Sequence, residues 1–213
     1  MSASLAGDPG GVRAVLIDAD GVLQLNPPGW DDDVRSFVAP DRADAFTEDL
    51  WAAEKAALRG ECSFVDVVRE VADRWGFTGR EDELLAHWRR VEVSDETLAV
   101  VRALRALGLA CHLVTNQNDV RAAYLRDEVG YGDLLDTVFC SCELGTTKDD
   151  PAFFEHVRAT LDLPYDALLL VDDGPAYVET AQALGIRAVG WEIPDGVAAL
   201  RARLAAQGLR LPG

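Results

Sequence analysis

The sequence predicts an α/β protein whose core has three layers, with helices on both faces of a parallel β-sheet and a small all-α unit inserted into it. Short apolar runs alternate with helical patterns through most of the chain, which is typical of a parallel sheet. Between residues 26 and 91 the rhythm changes, because helical patterns follow one another without a strand signal. The length of 213 residues suits one core with a smaller insertion.

Five short apolar segments are the candidate strands. The first, VRAVLIDADGVL, begins with a β-branched run and breaks at Gly21. The others are LACHLVTNQ, DTVFCSC, ALLLVDDG and IRAVGW. The predicted helices of the core cover residues 95–107, 119–129, 151–161 and 175–184. This order of strands and helices predicts a sheet buried on both faces.

Residues 26–91 form the predicted helical insertion, so the predicted core comprises residues 1–25 and 92–213. Three helical patterns occur there, after a linker-like segment, NPPGWDDD. In the middle pattern apolar side chains recur at helical spacing as one stripe: Phe64, Val67, Val68, Val71 and Trp75. The tryptophans of the insertion are interpreted as core residues: Trp51, Trp75 and Trp88.

The charge, the apolar runs and the cysteine count limit which partners and which compartment we expect. Thirty-seven acidic residues against twenty basic ones give a net charge of −17, which repels phosphate backbones and anionic membranes, so we expect neither nucleic acid nor membrane as a partner. No apolar run approaches the roughly 20 residues that span a bilayer. The chain starts without a signal-peptide pattern, and its four cysteines are too few for a disulfide framework. We therefore expect a cytoplasmic protein, of undetermined oligomeric state.

Two pairs of carboxylates follow predicted strands. Asp18 and Asp20 end the first strand, and Asp172 and Asp173 end the strand LLLV. One such pair alone would be ordinary turn chemistry. If both strands are neighbours, however, four carboxylates converge, which is costly unless protons or a cation neutralise them. An all-oxygen cluster of this kind is what Mg²⁺ prefers, so the sequence predicts a divalent-ion site.

Two more predicted strands end in groups that suit a phosphate. Thr115 and Asn116 end the strand HLVT and offer a hydroxyl and an amide. Lys148 lies in the loop after the next strand, where its ammonium group could neutralise phosphate charge. Only two lysines occur in the chain, so chance is a weak explanation for a lysine at this position.

The order acid pair, hydroxyl, lysine, acid pair resembles the haloacid dehalogenase superfamily along nearly the whole chain. VLIDADGVL is similar to the first motif of that family, LVTNQ to the second, KDDPAFF with Lys148 to the third, and LLLVDDGPAYVETAQALGIRAV to the fourth. The resemblance implies a Rossmann-like core, a helical cap at residues 26–91 and a hinge at residues 21–29.

The resemblance also implies roles for the acidic residues. Asp18 would be the nucleophile that forms an aspartyl phosphate, and Asp20 would act as general acid and base. Mg²⁺ would be held by the carboxylates of Asp18 and Asp172 and by the main-chain carbonyl of Asp20, with Asp173 in support.

For the phosphate, the resemblance implies that Thr115, Asn116 and Lys148 bind the transferred phosphoryl group. The expected activity is hydrolysis of a small phosphorylated metabolite by a Mg²⁺-dependent phosphatase. A phosphomutase would use the same core, and a catalytically weak binding or regulatory protein would keep the fold. Hydrolytic dehalogenation needs neither the metal nor an acid at position 20, so the residues argue against it.

One turn in the insertion and one residue of the fourth motif lead to further expectations. The segment LRGECSF resembles a turn between cap helices in one branch of the family, which predicts that Arg59, Gly60 and Glu61 approach the substrate; the alternative is an ordinary exposed turn. In the fourth motif, Tyr177 stands where an Asn or Asp is common in the family, so a supporting contact to the lysine or the metal site is expected to differ.

Overall fold

The computed structural model describes residues 11–212, and this part of the chain contains seven β-strands. They are β1 (Ala14–Ile17), β2 (Gln24–Leu25), β3 (Glu92–Val93), β4 (Ala110–Thr115), β5 (Thr137–Cys140), β6 (Leu168–Asp172) and β7 (Arg187–Gly190). Five of them form one sheet in the order β5–β4–β1–β6–β7, and every neighbouring pair is parallel. The predicted parallel sheet is confirmed, and all five candidate strands belong to it.

Eleven α-helices lie within the same residues. They are α1 (Trp30–Arg35), α2 (Ala43–Leu58), α3 (Phe64–Trp75), α4 (Glu81–His87), α5 (Asp95–Ala106), α6 (Asp119–Asp127), α7 (Tyr131–Leu134), α8 (Ser141–Leu144), α9 (Pro151–Leu161), α10 (Pro175–Ala183) and α11 (Val197–Ala206). The four predicted core helices correspond to α5, α6, α9 and α10. Within residues 11–212, no helix combines the length and the apolar character needed to cross a membrane.

The central strand shows why the core has three layers. Side chains alternate between the two faces of a strand. Val15 and Ile17 of β1 therefore belong to the apolar cluster on one face, and Ala14 and Leu16 belong to the cluster on the other. All four are buried. Both faces of the sheet are covered, which confirms the predicted Rossmann-like α/β core.

The segment between β2 and β3 is helical, as predicted, but it contains four α-helices where the sequence indicated three patterns. The additional helix is the six-residue α1, which begins inside the predicted linker. Trp30 and Val34 are buried there, and the acidic residues 31–33 lie in its first turn, where the helix dipole favours negative charge. Local burial and charge therefore extend helical structure into a segment that is rich in helix breakers.

These four helices have an apolar core of their own. It includes Phe46, Leu50, Phe64, Val68 and Trp88, and Val120 of α6 packs into the same cluster. The predicted stripe of α3 faces this core, with Trp75 at its margin. β2 and β3 pair antiparallel, so the segment leaves and rejoins the rest of the chain at one place.

Candidate active site

The carboxyl ends of β1 and β6 bring three carboxylates together. Asp18 directly follows β1, Asp172 ends β6, and the two strands are paired neighbours. One carboxylate oxygen each from Asp18, Asp172 and Asp173 lie within 4.8 Å of one another. Asp18 and Asp172 are buried, and Asp173 is exposed. Three predicted site residues from two motifs thus form one cluster.

Lys148 lies inside this cluster. Its side chain is 1% exposed, and its Nζ lies 2.8 Å from Asp18 Oδ1 and 2.7 Å from Asp172 Oδ2. Burial acts to lower the pKa of Lys148, but the two carboxylates outweigh it and hold the pKa above its ordinary value. The main-chain N–H of Lys148 donates to Asn116 Oδ1 at 3.0 Å, which ties the lysine loop to the end of β4.

The cluster is short of positive charge. It contains three carboxyl groups and one ammonium group, and burial together with the neighbouring Asp172 raises the pKa of Asp18 despite the contact with Lys148. A second cation would relieve this repulsion. The remaining donors are carboxylate oxygens, which hard divalent ions such as Mg²⁺ prefer. The residues present therefore fit the predicted metal.

Asp20 lies at the edge of this cluster, and its side chain is held by three donors that the sequence analysis did not single out. Its Oδ1 accepts hydrogen bonds from Gln24 Nε2 at 2.8 Å and Arg121 Nη2 at 2.6 Å, and its Oδ2 accepts one from Gln117 Nε2 at 2.6 Å. Burial acts to raise the pKa of Asp20, but Arg121 and the two glutamines outweigh it and hold the pKa below its ordinary value.

Arg121 is the least expected of these donors. It belongs to the first turn of α6 and is 4% exposed, so the guanidinium group is buried beside Asp20. A second hydrogen bond from its Nη2 reaches Asn26 Oδ1 at 2.9 Å. One signal was available, because a helix that starts just after a strand places its first turn near the ligand-binding edge of a parallel sheet.

Thr115 and Asn116 lie at the end of β4, beside β1. Thr115 is buried, and its Oγ1 accepts a hydrogen bond from Gln117 Nε2 at 3.3 Å. Asn116 holds the lysine loop, as described above. Both predicted phosphate-binding residues thus lie at the edge of the sheet that carries the acidic cluster.

Gly21 and Tyr177 fit closely around the cluster. Gly21 has a φ of +79°, and a Cβ at this position would collide with the carboxylate of Asp173. The ring of Tyr177 lies against Lys148, with 4.7 Å between the ring centroid and Nζ. Tyr177 therefore contacts Lys148 through a cation–π interaction.

The predicted cap turn packs against α8 and borders a cavity. Arg59 Nε pairs with Glu61 Oε1 at 2.6 Å in an exposed salt bridge. Gly60 has a φ of +66°, and its Cα lies so close to the main chain of α8 that a Cβ would collide with the Cys142 carbonyl. Arg59 borders a cavity of about 550 Å³ that also touches Asn116 and Tyr177. A substrate contact of this turn stays a prediction.

A second cavity, of about 410 Å³, lies between the helical segment and the core. Asp20, Gln117 and Arg121 line it from the core. Trp51 and Glu54 of α2 line it from the helical segment. Trp51 is 36% exposed, so its interpretation as a core residue is wrong; it is part of the cavity wall.

Several hydrogen bonds join the helical segment to α6 and its N-cap residue, in addition to the contact between Arg121 and Asn26. Asn118 Nδ2 donates to Glu54 Oε1 at 2.6 Å, while Asn118 Oδ1 caps α6. Ser63 Oγ and the Phe64 main-chain N–H donate to the two carboxylate oxygens of Asp119, at 2.7 and 2.8 Å. The helices are therefore docked over the end of the sheet that carries the candidate site.

Comparison with known proteins points to one family. The model of haloacid dehalogenase-like hydrolases matches residues 12–185. A phosphoglycolate phosphatase from Rhodospirillum rubrum is 29% identical over 83% of this chain and 78% of its own length. A sesquiterpene phosphatase from Aspergillus oryzae is 27% identical over 87% of this chain and 92% of its own.

A solved structure agrees on the fold. The HAD family enzyme from Bacteroides thetaiotaomicron, in complex with magnesium and inorganic phosphate, superimposes with a TM-score of 0.72. The match covers 84% of this chain and 93% of that one, at 18% sequence identity. At this identity the likeness concerns the fold alone.

Proposed function

Because the chain belongs to the haloacid dehalogenase-like hydrolases, we propose that it is a Mg²⁺-dependent phosphatase that hydrolyses small phosphomonoesters through an aspartyl phosphate. The observation that carries the proposal is the buried Lys148 between Asp18 and Asp172, at the end of a sheet where a third carboxylate joins them. The two curated relatives named above are both phosphatases, which supports the same reaction class.

In the first step, Asp18 attacks phosphorus. Its Oδ1 accepts hydrogen bonds from Lys148 Nζ at 2.8 Å and from the Ala19 main-chain N–H at 2.7 Å, so we assign the attack to Oδ2. The new bond joins Asp18 Oδ2 to phosphorus while the bond from phosphorus to the leaving oxygen breaks. This divides one difficult displacement into two easier steps.

Asp20 moves the protons in this proposal. Its side chain is 44% exposed and borders the 410 Å³ cavity, so a leaving group in that cavity lies within its reach. For the first transfer Asp20 must carry a proton, which its lowered pKa disfavours. It gives this proton to the leaving oxygen and takes one back from the water that attacks the aspartyl phosphate, so it ends the cycle in the protonation state in which it began. Gln24, Gln117 and Arg121 fix the position of the carboxylate for both transfers.

Asp18, Asp172 and Asp173 would hold the metal, together with the main-chain carbonyl of Asp20. Bound there, Mg²⁺ would shield the negative charge of the nucleophile from that of the substrate and polarise the phosphoryl group. The phosphoryl oxygens would be bound by Thr115, Asn116 and Lys148. Lys148 would therefore have two roles, because it also neutralises the charge of the carboxylates.

We assign residues 11–25 and 92–212 to the catalytic core and residues 26–91 to a cap that selects the leaving group. The rest of the predicted core, residues 1–10 and 213, lies outside the described residues. The cavity between them is bounded by side chains from both segments, which supports this division. A hydrolytic dehalogenase would have no use for Asp20 or for a third carboxylate beside Asp18, so the constellation favours phosphate chemistry.

The test is phosphate release from a panel of phosphomonoesters, with Mg²⁺ and with a chelator, for the wild type and for Asp18→Asn. Asp73→Asn, an exposed position on α3, is the matched control. We expect loss of turnover with the chelator and in Asp18→Asn, and full turnover in Asp73→Asn. Metal-independent turnover or an active Asp18→Asn would overturn the mechanism, and an isomerised ester without free phosphate would indicate a phosphomutase.

A further inference from the structure

The 410 Å³ cavity is the space beside the proposed proton donor, so its lining determines which alcohol can leave. Its volume lies within the range of about 300–1,000 Å³ that is usual for small-molecule sites. Polar residues from both segments and three tryptophans line it. The chemistry of this lining is not that of a site for a second negative charge.

The positive group on the cavity wall is already paired. Arg121 contacts Asp20 at 2.6 Å, and the same Nη2 also donates to Asn26 Oδ1. It is the one cationic side chain among the described residues that line this cavity. Two further acidic residues, Asp31 and Glu54, also line it. An alcohol that carries a carboxylate would face excess negative charge without an unpaired cation to compensate it.

Glu54 offers one oxygen to the cavity. Its Oε1 accepts hydrogen bonds from Trp88 Nε1 at 2.8 Å and Asn118 Nδ2 at 2.6 Å, which fix the carboxyl group between helical segment and core. Within residues 11–212, no protein donor reaches its Oε2, which is therefore left to accept a hydrogen bond from a ligand.

The same cavity also offers a donor. The Oδ1 of Asn26 is used by Arg121, so the amide N–H groups of Asn26 remain for a ligand, as far as the described residues show. A hydroxyl group both donates and accepts a hydrogen bond, whereas an ammonium group only donates and a carboxylate only accepts. A mixed set of one acceptor and one donor therefore suits hydroxyl groups better than either ion.

Trp51 adds an apolar surface to this polar set. Its ring is 36% exposed, unlike those of Trp30 and Trp88, which are buried in the helical segment. Trp51 stacks on Trp30 with 5.9 Å between ring centroids, so its orientation is fixed by packing. A rigid aromatic surface beside hydrogen-bonding groups is suited to a ligand with both C–H and O–H groups.

We propose that the leaving group is an uncharged polyhydroxy alcohol, as in a sugar phosphate, and that Glu54 is the specificity-determining residue that accepts a hydrogen bond from one of its hydroxyl groups. This rests on the proposed phosphatase function. It also separates the chain from its Rhodospirillum rubrum relative, whose named substrate, phosphoglycolate, carries a carboxylate on the leaving group.

The experiment compares kcat/KM for a hexose phosphate, phosphoglycolate, phosphocholine and p-nitrophenyl phosphate. Glu54→Gln is the test variant, because its amide preserves the acceptor for Trp88 and Asn118 but replaces the free acceptor by a donor. Glu70→Gln, at an exposed position of α3, is the matched control. Trp51→Leu is a second variant, at a side chain whose exposure makes misfolding less of a concern.

For the wild type we expect kcat/KM for the hexose phosphate to exceed that for phosphoglycolate by about tenfold or more, since the hydrogen bond to the Glu54 carboxylate is gained and no carboxylate meets the acidic lining. The hexose phosphate should also exceed phosphocholine, whose quaternary ammonium group can neither donate nor accept a hydrogen bond. In Glu54→Gln this preference over phosphoglycolate falls by about tenfold, because the amide donates to a carboxylate and no longer accepts from a hydroxyl. Trp51→Leu raises KM for the hexose phosphate more than for phosphoglycolate, and Glu70→Gln changes neither ratio.

Wild-type preference for phosphoglycolate or phosphocholine would overturn the inference, and so would a Glu54→Gln variant that loses activity equally on all four esters. Failure of the wild type to hydrolyse any ester, p-nitrophenyl phosphate included, would instead overturn the phosphatase function itself. The two failures are therefore distinguishable in one set of measurements.

Discussion

The pair between Arg121 and Asp20 gives the sharpest stability prediction. Arg121→Met keeps an apolar stem of similar length but removes the guanidinium group 2.6 Å from Asp20. Breaking a fully buried pair costs about 3–5 kcal/mol. Here Asp20 is 44% exposed and keeps its hydrogen bonds from Gln24 and Gln117, so water compensates part of the loss. We expect the loss of the charge-assisted hydrogen bond to Asp20 to decrease the free energy of unfolding by about 1.5–3 kcal/mol. The lost hydrogen bond to Asn26 adds to this decrease.

Urea denaturation followed by tryptophan fluorescence measures this effect at pH 7. A double-mutant cycle with Asp20→Asn isolates the interaction from the packing of the arginine stem. Arg102→Met, at an exposed position of α5, is the control and should change stability by less than about 0.5 kcal/mol. A coupling energy below about 0.5 kcal/mol, the limit of simple additivity, would refute the reasoning.

The pH dependence has a definite sign. The pKa of Asp20 is lower in the folded protein than the value of about 3.9 for an unfolded Asp. The pair therefore contributes its full stability above about pH 4 and loses it as the pH falls through the lower folded pKa. The stability difference between wild type and Arg121→Met should shrink under acid conditions, and a difference that grows there would contradict the assignment.

Two further substitutions test how closely the site is packed. Gly21→Ala should raise the Mg²⁺ concentration for half-maximal activity, because the new Cβ displaces the Asp173 carboxylate. Gly29→Ala is the control, since Gly29 has a similar φ of +77° but no atom within 4 Å of the added Cβ, so this variant introduces backbone strain without a collision. If both variants raised the Mg²⁺ requirement equally, the collision with Asp173 would be excluded as the cause. Tyr177→Leu should lower kcat/KM by roughly 2- to 30-fold, the equivalent of a cation–π contact with Lys148, and Tyr177→Phe should not; loss in both variants would indicate a role for the hydroxyl.

The convergence of the strand ends could be predicted from the sequence. The apolar runs that end in Asp18, Thr115 and Asp172 are short and separated by helical patterns, and a parallel sheet places their carboxyl ends at one edge. The fold therefore follows from local periodicity. Periodicity does not show what these residues do in the reaction, so their catalytic roles stay predictions.

The partners of Asp20 could not be predicted in the same way. Arg121 is 101 positions away from it, and the contact depends on the face that α6 turns toward β1. Glu54 is a similar case, because its orientation is set by a hydrogen bond from Asn118 across the junction of two segments. Periodicity shows which face of α2 is apolar, but not which polar side chain lies over the sheet. The prediction that Trp51 is a core residue fails for this reason.

The pairing of β2 with β3 allows the inserted helices to be replaced in evolution. Gln24 lies opposite Val93 and Leu25 opposite Glu92, so the two ends of the inserted helices are about one strand spacing, roughly 4.8 Å, apart. A different segment whose ends meet at this distance could replace them without moving β1 or β4, although it would have to supply its own contacts to α6. The chain can therefore exchange the helices that surround its substrate cavity by insertion, deletion or recombination while its sheet and its acidic cluster are inherited unchanged.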